Sequence, residues 1–276
     1  MNISILGCGW LGLPLAKTLI KDGHNVHGST TTKTKIQTLN EEGITPYLIT
    51  LEPRLSCNNC EAFWQTELLI LNIPPGRGRK NVVEYHTKQI RSIRERLENS
   101  TIKKIVFVSS TSVYPKLPGV VTEDDTIPGQ AGRDSGNALL QAEKILRDSD
   151  SINTAVLRFG GLYGYDRHPA KYLAGRQNLD KGNAPVNLIH RDDCINIIRE
   201  IIKKPFTKGI FNAVSDGHPP RKMYYTKAAK ALGLELPTFK DDEQKDYKVV
   251  SNEKLKKGLG YVFKHPNPMD MKAINE

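Results

Sequence analysis

The sequence is short of cysteine, with four in 276 residues, which excludes the densely cross-linked scaffold of a small secreted domain. It has no apolar run near the roughly 18 uninterrupted residues of a membrane-spanning helix, so no membrane partner is expected. Met1-Asn2-Ile3 opens directly into a strand pattern, without a basic leader or a small-residue cleavage site, and this leads to the expectation of a soluble, cytoplasmic protein. Acids are outnumbered, 30 Asp and Glu against 40 Lys and Arg, for a formal charge of +10. The cations are interleaved with acids rather than gathered in a stripe. They read as a solvated surface that suits phosphorylated ligands, not as a nucleic-acid footprint. The pair Cys57-Asn58-Asn59-Cys60 has no second such pair or nearby histidine pair to complete a tetrahedral metal site. No metal is expected, and the two thiols read as reduced and at the surface.

What the chain does have is concentrated at its start. Ile3–Leu6 is a short apolar run, Gly7-Cys8-Gly9-Trp10-Leu11-Gly12 has the spacing Gly-x-Gly-x-x-Gly, and Leu15, Ala16, Leu19 and Ile20 follow at helical spacing. Gly7 permits a tight turn, Gly9 lets the backbone approach a pyrophosphate, and Gly12 lets the helix lie close on the strand. Free N–H groups and the positive helix end then face an anion, with Trp10 and Leu11 completing the corner. In NAD-binding versions of this unit an acid that holds the ribose 2′-hydroxyl is expected about 20 residues past the turn. None stands there. Ser29, Thr30, Thr31, Thr32 and Lys33 offer hydroxyls and a cation instead, which suit a 2′-phosphate, so NADP is the expected cofactor, with NAD possible. The same threonines can cap a helix that starts at Lys33.

Strand patterns at Asn2–Leu6, Asn25–Ser29, Thr45–Thr50, Leu68–Ile73, Lys104–Ser109, Thr154–Phe159, Asn187–Ile189 and Gly209–Val214 alternate with helical ones. The helices are expected at Gly12–Lys21, Lys33–Glu42, Val82–Glu98, Ala138–Asp148, Asp192–Lys203 and Tyr224–Leu232. The expected fold class is α/β, a doubly wound, mainly parallel Rossmann sheet. After residue 160, prolines loosen the pattern. The expected organisation is therefore a dinucleotide-binding domain over residues 1–160 and a smaller C-terminal substrate lobe over 161–276, interleaved through returning strands near 187–189 and 209–214. Ile73, Pro74 and Ser109 join the expected cofactor-binding residues.

The strand Ile105-Val106-Phe107-Val108-Ser109-Ser110-Thr111-Ser112-Val113-Tyr114 ends in hydroxyls. Here the chain resembles the extended, NAD-dependent epimerase/dehydratase branch of the short-chain dehydrogenase/reductase superfamily. The resemblance implies a catalytic hydroxyl at Ser110, four residues before Tyr114; the residues alone read equally well as a strand-end cap. Leu157–Gly164, Asn187–Asp193, Gly209–Asn212 and Leu259-Gly260-Tyr261 are similar to further family segments, in family order. Two departures stand out. Leu6 replaces the family's first glycine, and registering on Ala142-Glu143 puts Ser135 and Leu139 where the family has its Tyr-x-x-x-Lys. That pair occurs nowhere in the chain, although the Tyr transfers the proton and the Lys lowers its pKa.

The chain is thus similar to the atypical members of that superfamily. Tyr114, Tyr163, Tyr165 and His168 are the replacements at hand, and Tyr114, Tyr163 and His168 stand with Ser110 as candidate catalytic residues. Arg158, Arg167, Lys171 and Arg176 are candidates to clamp an anionic substrate. Two functions follow. One is an NAD(P)-dependent oxidoreductase or epimerase/dehydratase-like enzyme acting on a small carbonyl or nucleotide-sugar substrate. The other is a non-catalytic NADP(H)-sensing protein. A third reading rests on Leu6–Ala16, which also resembles nucleotide-sugar and β-hydroxyacid dehydrogenases; it would require a long helical dimerisation domain after the sheet. The expected partner is a small molecule, and the expected state a monomer or homodimer.

Overall fold

The apolar run at Asn2–Leu6 forms β1, and the glycine turn leads the chain into α1 (Gly12–Lys21), whose Leu15, Ala16 and Leu19 are buried against the sheet. The computed structural model describes residues 1–76, 78–203, 205–241 and 247–271. The first part continues through β2 (Asn25–Thr30), α2 (Lys35–Glu41), β3 (Thr45–Leu51), β4 (Leu55–Cys57), β5 (Leu68–Leu71) and α3 (Val82–Glu98). It is completed by β6 (Lys104–Ser110), β7 (Gly119–Val121), α4 (Asp134–Arg147) and β8 (Asn153–Phe159). The later part adds β9 (Gly161–Tyr163), β10 (Leu188–His190), α5 (Arg191–Lys203), β11 (Gly209–Ala213), α6 (Arg221–Ala231), β12 (Lys248–Val250) and α7 (Glu253–Leu259).

Eight strands make one sheet in the order β11-β8-β6-β5-β1-β2-β3-β4, parallel throughout except for the β3/β4 hairpin. One apolar layer joins α1, α2, α5 and α7 to the sheet, and a second joins α3 and α4 to its other face. This is the expected doubly wound α/β fold. Covering both faces explains why all four residues of β5 are apolar and buried. Strand order reverses between β1 and β5, and open sheets of this kind bind ligands outside the carboxyl ends of the strands at such a point.

Several boundaries differ from the sequence expectation in ways that move functional groups. α4 starts at Asp134, four residues before Ala138, because the extended Arg133 precedes it; Ser135 therefore stands in the first helical turn. α2 starts at Lys35, not Lys33. Of the two strands expected to return to the sheet, β11 does so beside β8, whereas β10 pairs only with β9. The reason is the glycine pair after β8: a Cβ at Gly160 would meet the Asn187 carbonyl oxygen at 2.7 Å, so only glycine lets that strand lie so close. The segment after residue 160 mixes short strands and helices and builds its own small core from Tyr163, Val186, Leu188, Tyr224 and Ala228, not a long helical domain. Cys57 and Cys60 also depart from the expectation of reduced surface thiols. They are joined in a disulfide across a Cα–Cα distance of 6.0 Å, and Cys60 is buried.

Candidate functional site

A cavity of about 690 Å³ opens over the carboxyl ends of β1, β2, β5 and β6. Its floor is the glycine turn. Gly7 has φ 109°, outside the range of ordinary L-residues, and its carbonyl oxygen accepts from the Asn72 amide at 3.0 Å while its N–H donates to Ser29 Oγ at 2.9 Å. The amides of Gly9, Trp10 and Leu11, just ahead of α1, donate to no protein acceptor among the described residues. A Cβ built on Gly9 meets nothing within 4 Å, so the space above these amides is open. Three free donors at the positive end of a ten-residue helix, under open space, fit the pyrophosphate of a dinucleotide.

Along one wall stand Ser29, Thr30, Thr31, Thr32 and Lys35. The expected cation, Lys33, is exposed and does not line the cavity. The backbone turn explains the exchange: Thr32 N–H donates to Thr30 Oγ1 and Lys35 N–H to the Thr32 carbonyl, which aims Lys33 outward and brings Lys35 to the wall. Asn72, Ile73 and Pro74 close the opposite side. Of these, Asn72 was not anticipated from the sequence, where it is one polar residue at the end of an apolar run.

At the far end lie Ser109, Ser110, Ser112, Ser135, Leu139 and Phe159–Leu162, whereas Arg167 joins the lining 5.0 Å from the Trp10 ring centroid. Ser135 and Leu139, the residues registered onto the family's missing Tyr and Lys, thus line the same cavity as Ser110. Ser110 Oγ accepts from the Ser112 N–H at 3.2 Å, which leaves its own proton to be donated. Ser109 has the opposite polarity: its hydroxyl donates to Glu143 at 2.6 Å, so it offers a ligand only lone pairs. Behind it, Glu143 forms a bidentate pair with Arg158 at 3.1 and 2.7 Å, both side chains buried. Burial disfavours the Arg158 cation, and Glu143 more than offsets this, raising its pKa.

Three of the four candidate catalytic residues stand outside the cavity. Tyr114 is fully buried; its hydroxyl donates to Asn212 at 2.5 Å and accepts from Arg158 at 3.0 Å, and burial pushes it up to about 12. Tyr163 is buried edge-on to His190 in the lobe core, and its hydroxyl too is pushed up by burial. His168 precedes the short turn Pro169–Tyr172 without capping it through its side chain, and burial and then the Lys171 cation lower its pKa. Arg158 is likewise no substrate clamp, and Lys171 and Arg176 are exposed away from the cavity.

Among the described residues, ligand atoms of His190, Asp192 and His265 lie within 4.8 Å of one another. The chain supplies its own cation to that carboxylate: Lys264 Nζ is 2.7 Å from Asp192, and the Tyr165 hydroxyl donates to its other oxygen at 2.7 Å. Burial pulls the Asp192 carboxyl up, but Lys264, Tyr165 and the nearby His190 hold it down at about 2. A carboxylate depressed on folding stabilises fully above its unfolded pKa of about 4, and the gain is lost as pH falls through about 2. Asp192→Asn is therefore expected to destabilise at neutral pH and to flatten the stability profile between about pH 4 and pH 2, which urea unfolding at each pH measures.

Residues 2–113 match the family described as the NAD binding domain of 6-phosphogluconate dehydrogenase. Protein YeeZ of Escherichia coli strain K12 is 32% identical over 273 residues, covering 98% of each chain. The chain belongs to the YeeZ family. A short-chain dehydrogenase/reductase superfamily protein from Agrobacterium tumefaciens, solved with bound NAD, matches with a TM-score of 0.79 at 17% identity over 99% of this chain and 96% of that one. UDP-glucuronic acid 4-epimerase from Bacillus cereus in complex with NAD matches with a TM-score of 0.76 at 18% identity over 100% and 94%. This YeeZ-family chain has the fold of the short-chain dehydrogenases/reductases, in its epimerase/dehydratase form, and its Rossmann unit over residues 2–113 is similar to an NAD binding domain.

Proposed function

We propose that the protein is an NADP(H)-linked oxidoreductase or epimerase-like enzyme acting on a small carbonyl or nucleotide-sugar substrate. The observation that carries this reading is a single cavity that joins the free amides of the glycine turn, the Thr30–Lys35 wall and the Ser110 hydroxyl. Residues 1–160 hold the dinucleotide and the later lobe completes the substrate end. When bound, the nicotinamide supplies or accepts a hydride. Gly9, Trp10 and Leu11 hold the pyrophosphate by their amides, and Lys35 with Thr30, Thr31 and Thr32 surrounds a 2′-phosphate. Ser110 donates its proton in a hydrogen bond to a substrate oxygen and so polarises the carbonyl. Ser135 is a second hydroxyl of the same cavity; neither serine has the acidity of the family's Tyr, so the proton for that oxygen would come from solvent.

Ser135 and Leu139 also favour a second reading, an NADP(H)-sensing protein that binds without turnover. The experiment that tests both is a titration with NADPH and NADH, followed by product analysis with carbonyl and nucleotide-sugar substrates, since redox-neutral epimerisation leaves nicotinamide absorbance unchanged. Tighter binding of NADPH is expected. Lys35→Ala should reduce its preference over NADH about tenfold, the scale of one charge-assisted contact, and Lys33→Ala should leave it unchanged. Binding of neither dinucleotide would refute the assignment. Binding with product, abolished by Ser110→Ala, supports the enzyme; binding without product from any substrate supports the sensor.

A further inference from the structure

Arg167 is a half-buried cation of the cavity wall that forms no ion pair among the described residues. It is delivered by a tight turn. Gly164 and Arg167 exchange backbone hydrogen bonds of 3.1 Å each, which leaves Tyr165 and Asp166 at the tip, Tyr165 at φ 56° in the left-handed region a tyrosine rarely adopts. Two contacts hold that tip. The Tyr165 hydroxyl donates to Asp192, and Asp166 accepts the indole N–H of Trp10 at 2.7 Å. The Arg191 guanidinium lies 3.8 Å from the Tyr165 ring centroid and 4.9 Å from that of Trp10, joining the two. Arg167 itself stands 5.0 Å from the Trp10 ring centroid. The turn therefore reaches from the C-terminal lobe to the glycine turn, and sets Arg167 beside the residue whose free amide, with those of Gly9 and Leu11, faces the open space.

From this placement we infer that Arg167 is a ligand of the dinucleotide pyrophosphate rather than a substrate clamp, and that the Gly164–Arg167 turn is a clasp by which the lobe holds the cofactor's phosphates. The inference rests on the cofactor reading above. It also narrows the substrate class. Lys35 and Arg167 are the cations among the described lining residues, and with both given to cofactor phosphates the serine-lined end has none left. That end fits an uncharged carbonyl compound better than a nucleotide-sugar diphosphate, whose two phosphates would lack a partner.

Calorimetric titration of the full chain with adenosine, 2′-AMP and ADP tests this, using the parent, Arg167→Ala and Arg167→Lys. Arg167→Ala should weaken ADP binding about ten- to a hundredfold, as expected for a lost charged hydrogen bond, and leave adenosine and 2′-AMP unchanged. Arg167→Lys, which keeps the charge, should recover part of the loss. Trp10 fluorescence should respond to ADP in the parent and much less in Arg167→Ala. Equal ADP binding by parent and Arg167→Ala overturns the inference while the cofactor reading stands. Equal weakening of all three ligands overturns it too, because the cavity rather than a phosphate contact has then changed. A parent that binds none of the three defeats the cofactor reading, and the inference with it.

Discussion

Gly12→Ala is expected to lose both stability and dinucleotide binding, whereas Gly9→Ala, three residues away in the same turn, loses binding alone. A Cβ on Gly12 would strike the Gly7 carbonyl oxygen and come within 3.1 Å of the Asn72 amide nitrogen. Neither neighbour can give way. Gly7 is fixed by Asn72 and Ser29, so α1 itself has to lift from the sheet, disturbing the packing of Leu15, Ala16 and Leu19. Overpacking of this kind costs about 1–3 kcal/mol. Lifting the helix also moves the amides of Trp10 and Leu11, and losing one or two charge-assisted hydrogen bonds corresponds to roughly a hundredfold in affinity. At Gly9 the added methyl meets no protein atom and projects into the space above the amides. Its expected signature is an unchanged melting temperature with binding weakened to a similar degree. Thermal unfolding and NADPH titration of the two variants separate the roles. Equal stability loss in both, or retained binding in Gly9→Ala, would show that the turn does not seat a phosphate.

The glycine turn was legible because its requirements are local. Both ends of α1 and of α3 fall where apolar spacing puts them, and the registration on Ala142-Glu143 places Ser135 and Leu139 in the cavity wall. What misled was side-chain direction over a few residues. Lys33 and Lys35 differ by two positions, and the hydrogen bonds of the turn, not composition, decide which one reaches the wall. Tyr114 follows Ser110 by four residues, yet the short helical turn Thr111–Val113 between them rotates it into the core. Spacing along the chain carries no record of that rotation. β10 departs from the expected pairing for a related reason: a strand of three residues, Leu188-Ile189-His190, does not specify its neighbour, and the choice falls to the approach that Gly160 permits.

One buried feature leaves a readable signal of structure rather than of substrate. Arg158 interrupts the apolar strand Ala155-Val156-Leu157-Arg158-Phe159, and a cation between two covered faces of a sheet requires an anionic partner. Glu143 breaks the apolar face of α4 in the same manner, between Leu139, Ala142 and Leu146. Two opposite charges on core positions of adjacent elements predict one another better than they predict a substrate.

That pairing leads to the largest expected loss of stability. Arg158→Met removes the partner of a buried carboxylate and leaves Glu143 with the Ser109 hydroxyl as its remaining side-chain donor. It also strips a donor from the Tyr114 hydroxyl and another from the Glu123 carbonyl. Breaking a buried ion pair from one side typically costs about 3–5 kcal/mol, more than the pair contributes as a whole, because the orphaned charge stays desolvated. At about 2–4 °C per kcal/mol for a chain of this size, the melting temperature should fall by roughly 10 °C. Arg158→Met combined with Glu143→Leu should recover most of that loss, since an apolar pair of similar volume has no charge to desolvate. The double variant nevertheless deprives Ser109 of its acceptor and frees its hydroxyl to donate into the cavity. Stability and ligand recognition are therefore expected to part company: thermal unfolding returns towards the parent value while NADPH affinity departs from it. A single variant within 1 kcal/mol of the parent would mean that the Arg158–Glu143 contact is not the stabilising charge pair beneath the cavity wall.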